Sequence, residues 1–160
     1  MDGRRATVSL SLAQHAVRLQ TLLDREVVRV LSAHGLSRGE LDVLGALAER
    51  GGSGARPREL SSLLLLTTGG LSNILRRLHD DGLVEREADP SDARSHVVRL
   101  TVEGEAAALE AGAAAVAAIS RVLAPVETPM LHDAAQLLHR VLVEVGEDAP
   151  VHRDHGGGGR

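Results

Sequence analysis

Residues 63–101 read LLLLTTGGLSNILRRLHDDGLVEREADPSDARSHVVRLT, and the succession of patterns within them decides the fold. Leu71, Ile74, Leu75 and Leu78 recur at i, i+3, i+4 and i+7, which places them on one face of a short helix. Thr67 or Thr68 caps that helix, which runs to about Asp81 before Gly82 breaks it. Leu83–Glu87 and His96–Leu100 then read as two strands joined across the turn Asp89–Pro90–Ser91–Asp92. A helix, a glycine stop and a hairpin, in that order, have the layout of a recognition helix followed by a wing.

The outward face of the helix carries Gly69, Ser72, Asn73, Arg76 and Asp80. Its N-terminal half is small and polar, as entry into a major groove requires. Asn73 has the amide that bonds adenine bidentately, and Arg76 has the fork that bonds guanine or phosphate. Thr67, Thr68 and the unpaired amides of the first turn suit a phosphate, and Arg77 completes the DNA-facing set. Taken alone, this helix reads more readily as an amphipathic surface helix with polar residues turned to water. The hairpin behind it tips the balance toward double-stranded DNA. Arg94 stands just past the turn, where an arginine reaches the narrow minor groove. Asp92 either fixes the turn or pairs with Arg94 to orient it. The plainer alternative is a solvated ion pair contributing roughly 0–1 kcal/mol.

Helical patterns flank this centre. Ser9–Ala33 carries Leu12, Val17, Leu19, Leu22, Leu23, Val27, Val30 and Leu31 at helical spacing, with Gly35 as the stop. Ser37 and Glu40 have the spacing of a capping box at the start of a second helix, whose apolar face is Leu41, Val43, Leu44, Leu47 and Ala48. The run Gly51–Gly52–Ser53–Gly54 ends it, and Pro57 begins a third helix through about Leu65. Thr101 caps a fifth, alanine-rich helix, with Glu103 and Glu105 near its positive end and Pro125 interrupting it. Thr128 and Pro129 supply a cap and first turn for a sixth, ending at Gly146. The polar tail 147–160, with four glycines before Arg160, is expected to be disordered. The fold class is therefore mainly α, a winged helix-turn-helix between long flanking helices.

Composition narrows the function. Of 160 residues 43% are hydrophobic and none is aromatic, so leucine, valine, isoleucine and alanine must build the core. Single-strand readers that stack bases on aromatic rings are disfavoured. With no cysteine there is no disulfide, thiolate catalysis or cysteine metal site. No signal peptide is expected, and no apolar run is expected to approach a membrane span, which points to a cytoplasmic protein with no membrane partner. The net charge of −4 sits mainly outside the centre: residues 56–99 hold seven arginines and seven acids. All eighteen basic residues are arginine. Arginine makes bidentate contacts to guanine and phosphate, although a GC-rich genome explains the bias as well. No nucleophile elbow, phosphate loop or HExxH spacing occurs, so enzyme activity is not expected.

Four stretches resemble the multiple antibiotic resistance regulator (MarR) family: GLSRGELDVLGAL at 35–47, LRRLHDDGLVER at 75–86, DPSDARS at 89–95 and VRLTVEG at 98–104. The Asp-Pro-x-Asp-x-Arg wing leading into Leu-Thr-x-x-Gly is the most specific. The resemblance spans about Ser9 to Gly146 in element order. It implies a homodimer built by the terminal helices, binding a roughly palindromic operator. It also implies repression relieved by a small, often aromatic, anionic ligand between the dimerisation region and the DNA-binding domain. By position it puts Asn73 and Arg76 on the base-reading helix and makes Asp92 and Arg94 the wing pair. The implied organisation is a helical dimerisation region at 9–34 and 102–146, around a winged domain at 35–101. Two departures stand out. Gly69–Gly70 opens the recognition helix at about 1 kcal/mol per glycine, so either the helix starts late or its backbone comes close to DNA. Ala93 stands where a second basic residue is common.

Independently of the family, the first, fifth and sixth helices carry more apolar surface than one small domain covers, and symmetric dimers bury such surface on themselves. Leu137, Leu138, Val141 and Val145 are candidates for that seam. His15, Arg18, Arg25 and His34 are cations on or near the first helix that an anionic effector can meet, although surface or dimer contacts are the commoner role. No ligand site is assigned. Among eight histidines, His132 and His139 share a helix face and His152 and His155 lie in the tail, without tight ligand spacing. Neither a metal nor another cofactor is expected. The competing function is a dimeric winged-helix interaction module that has lost specific DNA binding.

Overall fold

The computed structural model describes residues 3–89 and 92–147, with side chains for all of these but 89 and 92–95. Among them are six helices and a hairpin: α1 Gly3–Ser32, α2 Arg38–Glu49, α3 Pro57–Leu63, α4 Thr68–Asp80, β1 Val84–Asp89, β2 Asp92–Leu100, α5 Val102–Leu123 and α6 Thr128–Glu144. A 3-10 turn at Gly51–Ser53 links α2 to α3. The chain divides into two units, Met1–Leu123 and Ala124–Arg160. The fold is mainly helical with a two-stranded wing, as the patterns require. The tail 148–160 lies outside the described residues, as do the turn residues Pro90 and Ser91.

Local chemistry sets the element ends. The Ser37–Glu40 capping box is formed in full: the Glu40 amide donates to Ser37 Oγ at 3.3 Å, and Glu40 Oε2 accepts from the Ser37 amide at 2.7 Å. α1 ends as Leu36 N donates to Leu31 O at 3.1 Å around Gly35 at φ 69°, a Schellman stop. Thr101 Oγ1 accepts the Gly104 amide at 3.0 Å and donates to Gly82 O at 2.7 Å. The residue that caps α5 thus also ties it to the end of α4.

Leu and Val side chains from α1 to α4 and from the hairpin meet in one aliphatic core. Val27 and Leu31 come from α1, Val43, Leu44 and Leu47 from α2, and Leu60 from α3. α4 adds Leu71, Leu75 and Leu78, and the hairpin adds Val84 and Val98. α5 closes this core with a seam of small residues, Ala108, Ala111 and Ala115, packed on α1 and α2. The strands are antiparallel in the register Val84↔Leu100 through Ala88↔His96, with an irregularity before Asp89↔Asp92. Ala55 adds a short third edge, exchanging two 2.9 Å hydrogen bonds with Val98. In the second unit α6 has no buried residue, and Leu137, Leu138, Val141 and Val145 are all exposed.

Several expectations need correction. α1 starts at Gly3 rather than Ser9, because nothing in residues 3–8 breaks a helix. On α2, Ala46 is buried and Ala48 is exposed, a small rotation of the expected face. Both strands extend to the turn rather than stopping at Glu87 and His96. Glu127 is the cap residue of α6 and Thr128 its first residue, with no side-chain cap bond; Pro129 has no N–H, so one donor fewer needs an acceptor. α4 does not start late, since Gly69 and Gly70 form its first turn. Finally, α5 is long and apolar enough, by length and composition, to cross a membrane. Alanine gives it that character, and its buried alanines line the seam against α1 and α2.

Candidate nucleic-acid interface

The recognition helix is built from its cap outward. Thr67 has extended backbone angles, φ −68° and ψ 152°, and its Oγ1 accepts from the Gly70 amide at 3.1 Å. That bond fixes the first turn although two glycines lie in it. Leu71, Leu75 and Leu78 are buried and Ile74 is half-buried, which sets the roll of the helix. Thr67, Thr68, Gly69, Ser72, Asn73 and Arg76 are thereby all turned to solvent. Arg76 Nη2 donates to Asn73 Oδ1 at 3.3 Å, so the two expected base readers form one unit a helical turn long. A Cβ on Gly69 would meet nothing within 4 Å, which leaves this point of the backbone open to a close neighbour.

Arg77 is placed differently. Its Nε lies 3.1 Å from Oε1 of Glu40, on α2, which engages its guanidinium with a neighbouring helix. A shallow notch of about 150 Å³ opens instead between α4 and β1, lined by Arg76, His79 and Arg86. His79 and Arg86 were not singled out from the sequence. The signal for Arg86 is its position two residues beyond the core residue Val84, on the same side of a strand leaving the core. Signal for His79 was lacking, since only folding brings β1 beside the last turn of α4.

The wing backbone is formed through Asp92 and Arg94 as strand β2. The side chains of this expected pair lie outside the described residues. Nearer the core, Arg99 Nε pairs with Glu87 Oε2 at 2.8 Å across the strands, which removes one arginine from the free cations of the hairpin.

On α1, Ala13, Gln14, His15, Val17 and Arg18 line an open groove of about 560 Å³. It brings together His15 and Arg18 of the four cations considered for an effector, and neither Arg25 nor His34. The His15 ring Nδ1 donates to Ser11 O at 2.7 Å. Among the described residues no three His, Asp or Glu side chains form a metal-holding group. His132 lies beside Gln136 at 2.7 Å, and His152 and His155 are outside the described residues.

Comparison with known proteins gives a consistent result. Residues 34–95 match the model of the MarR family. The HTH-type transcriptional repressor Rv2887 of Mycobacterium tuberculosis is 33% identical over 124 residues, which cover 78% of this chain and 88% of that protein. The structure of Rv2887 in complex with salicylic acid superimposes with a TM-score of 0.67 at 32% identity, covering 81% of this chain and 95% of that one. A mutant MarR from E. coli complexed with operator DNA has the same fold, with a TM-score of 0.73 at 24% identity and coverage of 89% and 99%.

Proposed function

Since the chain belongs to the MarR family of winged helix-turn-helix transcriptional regulators, DNA-binding proteins rather than enzymes, we propose that it is a cytoplasmic, homodimeric repressor of a pseudo-palindromic operator. Small aromatic acids relieve that repression. The observation that carries the reading is the recognition helix: three leucines buried on one side and Ser72, Asn73 and Arg76 presented on the other, behind a Thr67 cap. Asn73 and Arg76 read base edges, Thr67, Thr68, Gly69 and Ser72 approach the backbone, and the wing pair Asp92 and Arg94 reaches the minor groove. The operator complex of the E. coli protein supports the DNA partner.

Dimerisation through the regions 9–34 and 102–146, flanking a DNA-binding domain at 35–101, is supported by exposed leucines and valines on α1 and α6. The salicylic acid complex of the mycobacterial relative supports the effector class. An effector acts by favouring a state in which the two recognition helices no longer match successive major grooves, about 34–36 Å apart.

The test is fluorescence anisotropy against a duplex from the region upstream of its own gene and a scrambled duplex, across a salt series. Preferential binding with a steep salt slope is expected, because phosphate contacts release counterions. Equal, weak binding to both duplexes at every salt, repeated over a genomic fragment library, would favour a winged module used for protein contacts. Salicylate added to the preferred complex is expected to lower the anisotropy.

A further inference from the structure

Glu40 is the one charged side chain buried among the described residues, at 1% exposure. Half of its carboxylate is accounted for by α2 itself. Oε2 accepts from both the amide and the hydroxyl of Ser37 at 2.7 Å. Capping needs nothing more, and a glutamine at this position would serve it. Oε1 is fully buried and makes no hydrogen bond. Its neighbour is Arg77 Nε on α4, at 3.1 Å, near enough for an ion pair though out of line for a hydrogen bond. The Arg77 side chain is 60% exposed while that of Glu40 is 2% exposed, so the carboxylate depends on the pair far more than the arginine does. An unpaired buried carboxylate is strongly unfavourable.

The same turn of α2 meets α4 at a second point. A Cβ on Gly39 would stand 3.0 Å from Ile74 Cδ1, so the absence of a side chain there admits Ile74 against the backbone. Ile74 and Arg77 are three residues apart and face the same neighbour. One apolar and one ionic contact, side by side, therefore pin the recognition helix to the start of α2.

We propose that Arg77 is a positioning residue for operator recognition and not itself a DNA contact: held by the buried Glu40 carboxylate, it fixes the roll of α4 and so aims Asn73 and Arg76. This rests on the DNA-reading function proposed above. A roll of about 10° would move a helix surface some 5–6 Å from the axis by about 1 Å, enough to spoil a bidentate base contact. A phosphate-binding arginine acts otherwise, since it lends charge and each such contact adds about one to the salt slope.

The experiment measures binding to the preferred and scrambled duplexes over a salt series, with thermal unfolding midpoints, for wild type, Arg77→Ala, Glu40→Gln and the double variant. Glu40→Gln keeps the capping box and removes the buried charge, so it provides a folded background even where Arg77→Ala alone does not fold. In that background Arg77→Ala is expected to change affinity less than about threefold. In the wild-type background it is expected to weaken the preferred duplex tenfold or more, narrow the preference over the scrambled duplex and leave the salt slope unchanged. A slope lower by about one, with the same loss in both backgrounds, would overturn the proposal and make Arg77 a phosphate contact. Should the wild type show no duplex preference, the DNA reading itself fails, and the midpoints still judge the pair: additive shifts overturn the coupling, non-additive shifts uphold it.

Discussion

Among the described residues four helix stops use the same hydrogen bond, and one of them holds an unexpected residue. Gly35, Gly82 and Gly146 take positive φ at the ends of α1, α4 and α6, each followed by an amide that donates back five residues, such as Leu83 N to Leu78 O at 2.8 Å. At the end of α3, the turn leading into the recognition helix, Leu66 N donates to Ser61 O at 3.0 Å in the same way, but the positive-φ position is Leu65, at φ 52°. A side chain there costs roughly 1–2 kcal/mol, and Leu65 recovers little, being 82% exposed. Leu65→Gly relieves that strain and loosens the unfolded chain by about 0.4–1 kcal/mol. The net expectation is a gain of about 0.5–1 kcal/mol, read as a higher urea midpoint with unchanged slope; a lower midpoint would mean that the leucine side chain makes an energetically useful contact. Two glycines of α5 provide a matched pair. A Cβ at Gly104 would overlap Leu83 O, whereas at Gly112 it would meet nothing within 4 Å. Gly104→Ala should force α5 away from the α4–β1 junction and lower stability by about 2–3 kcal/mol. Gly112→Ala should raise it by about 0.5–1 kcal/mol through helix propensity. Equal effects of the two in thermal melts would contradict the close approach that accounts for the Leu-Thr-x-x-Gly pattern.

At the scale of elements, α4 and the hairpin divide the work of recognition, and their variants should differ in kind. Asn73→Ala or Arg76→Ala removes a base-edge contact, so discrimination at one operator position should fall by about 1–3 kcal/mol with stability unchanged, since both side chains are exposed. Arg94→Ala should weaken operator and scrambled duplex alike and lower the salt slope by about one. Anisotropy on a panel of single-base operator variants separates the two behaviours. Specificity left intact by both helix variants would remove α4 from the account, and an unchanged affinity for Arg94→Ala would remove the wing. These elements were legible in the sequence where their causes are local. Thr67, Ser37 and Thr101 each act on an amide three residues ahead, and Leu71, Leu75 and Leu78 declare their face by spacing alone. What sequence could not show lies across elements. The bond of Ala55 to Val98 and the notch joining His79 to Arg86 depend on segments that meet only after folding. The attachment of Arg77 to Glu40, 37 positions apart in the sequence, has the same origin, so grouping Arg77 with its neighbour Arg76 missed it.

For the whole molecule the decisive quantity is apolar surface left uncovered. α1 exposes Val8, Leu10, Val17 and Leu19, while α6 and its C-cap residue expose Leu138, Val141, Leu142 and Val145 at the i, i+3, i+4 and i+7 positions of one face. An amphipathic helix with no buried residue gains nothing from forming unless another surface covers that face. A symmetric partner is the economical cover, and it would place two recognition helices on one duplex. Leu138→Asp with Val141→Asp puts charge into that face, and neither residue is a member of the buried core. Sedimentation velocity should then show a shift from dimer to monomer, with helicity falling by no more than the α6 contribution. Losing the second contact should weaken a palindromic duplex by about 10²–10⁴ and leave a half-site duplex nearly unaffected. A variant that remains dimeric and binds the palindrome as wild type would show that the α6 face does not hold the two subunits together. A variant that becomes monomeric yet keeps its palindrome affinity would show that one winged domain reads the operator alone.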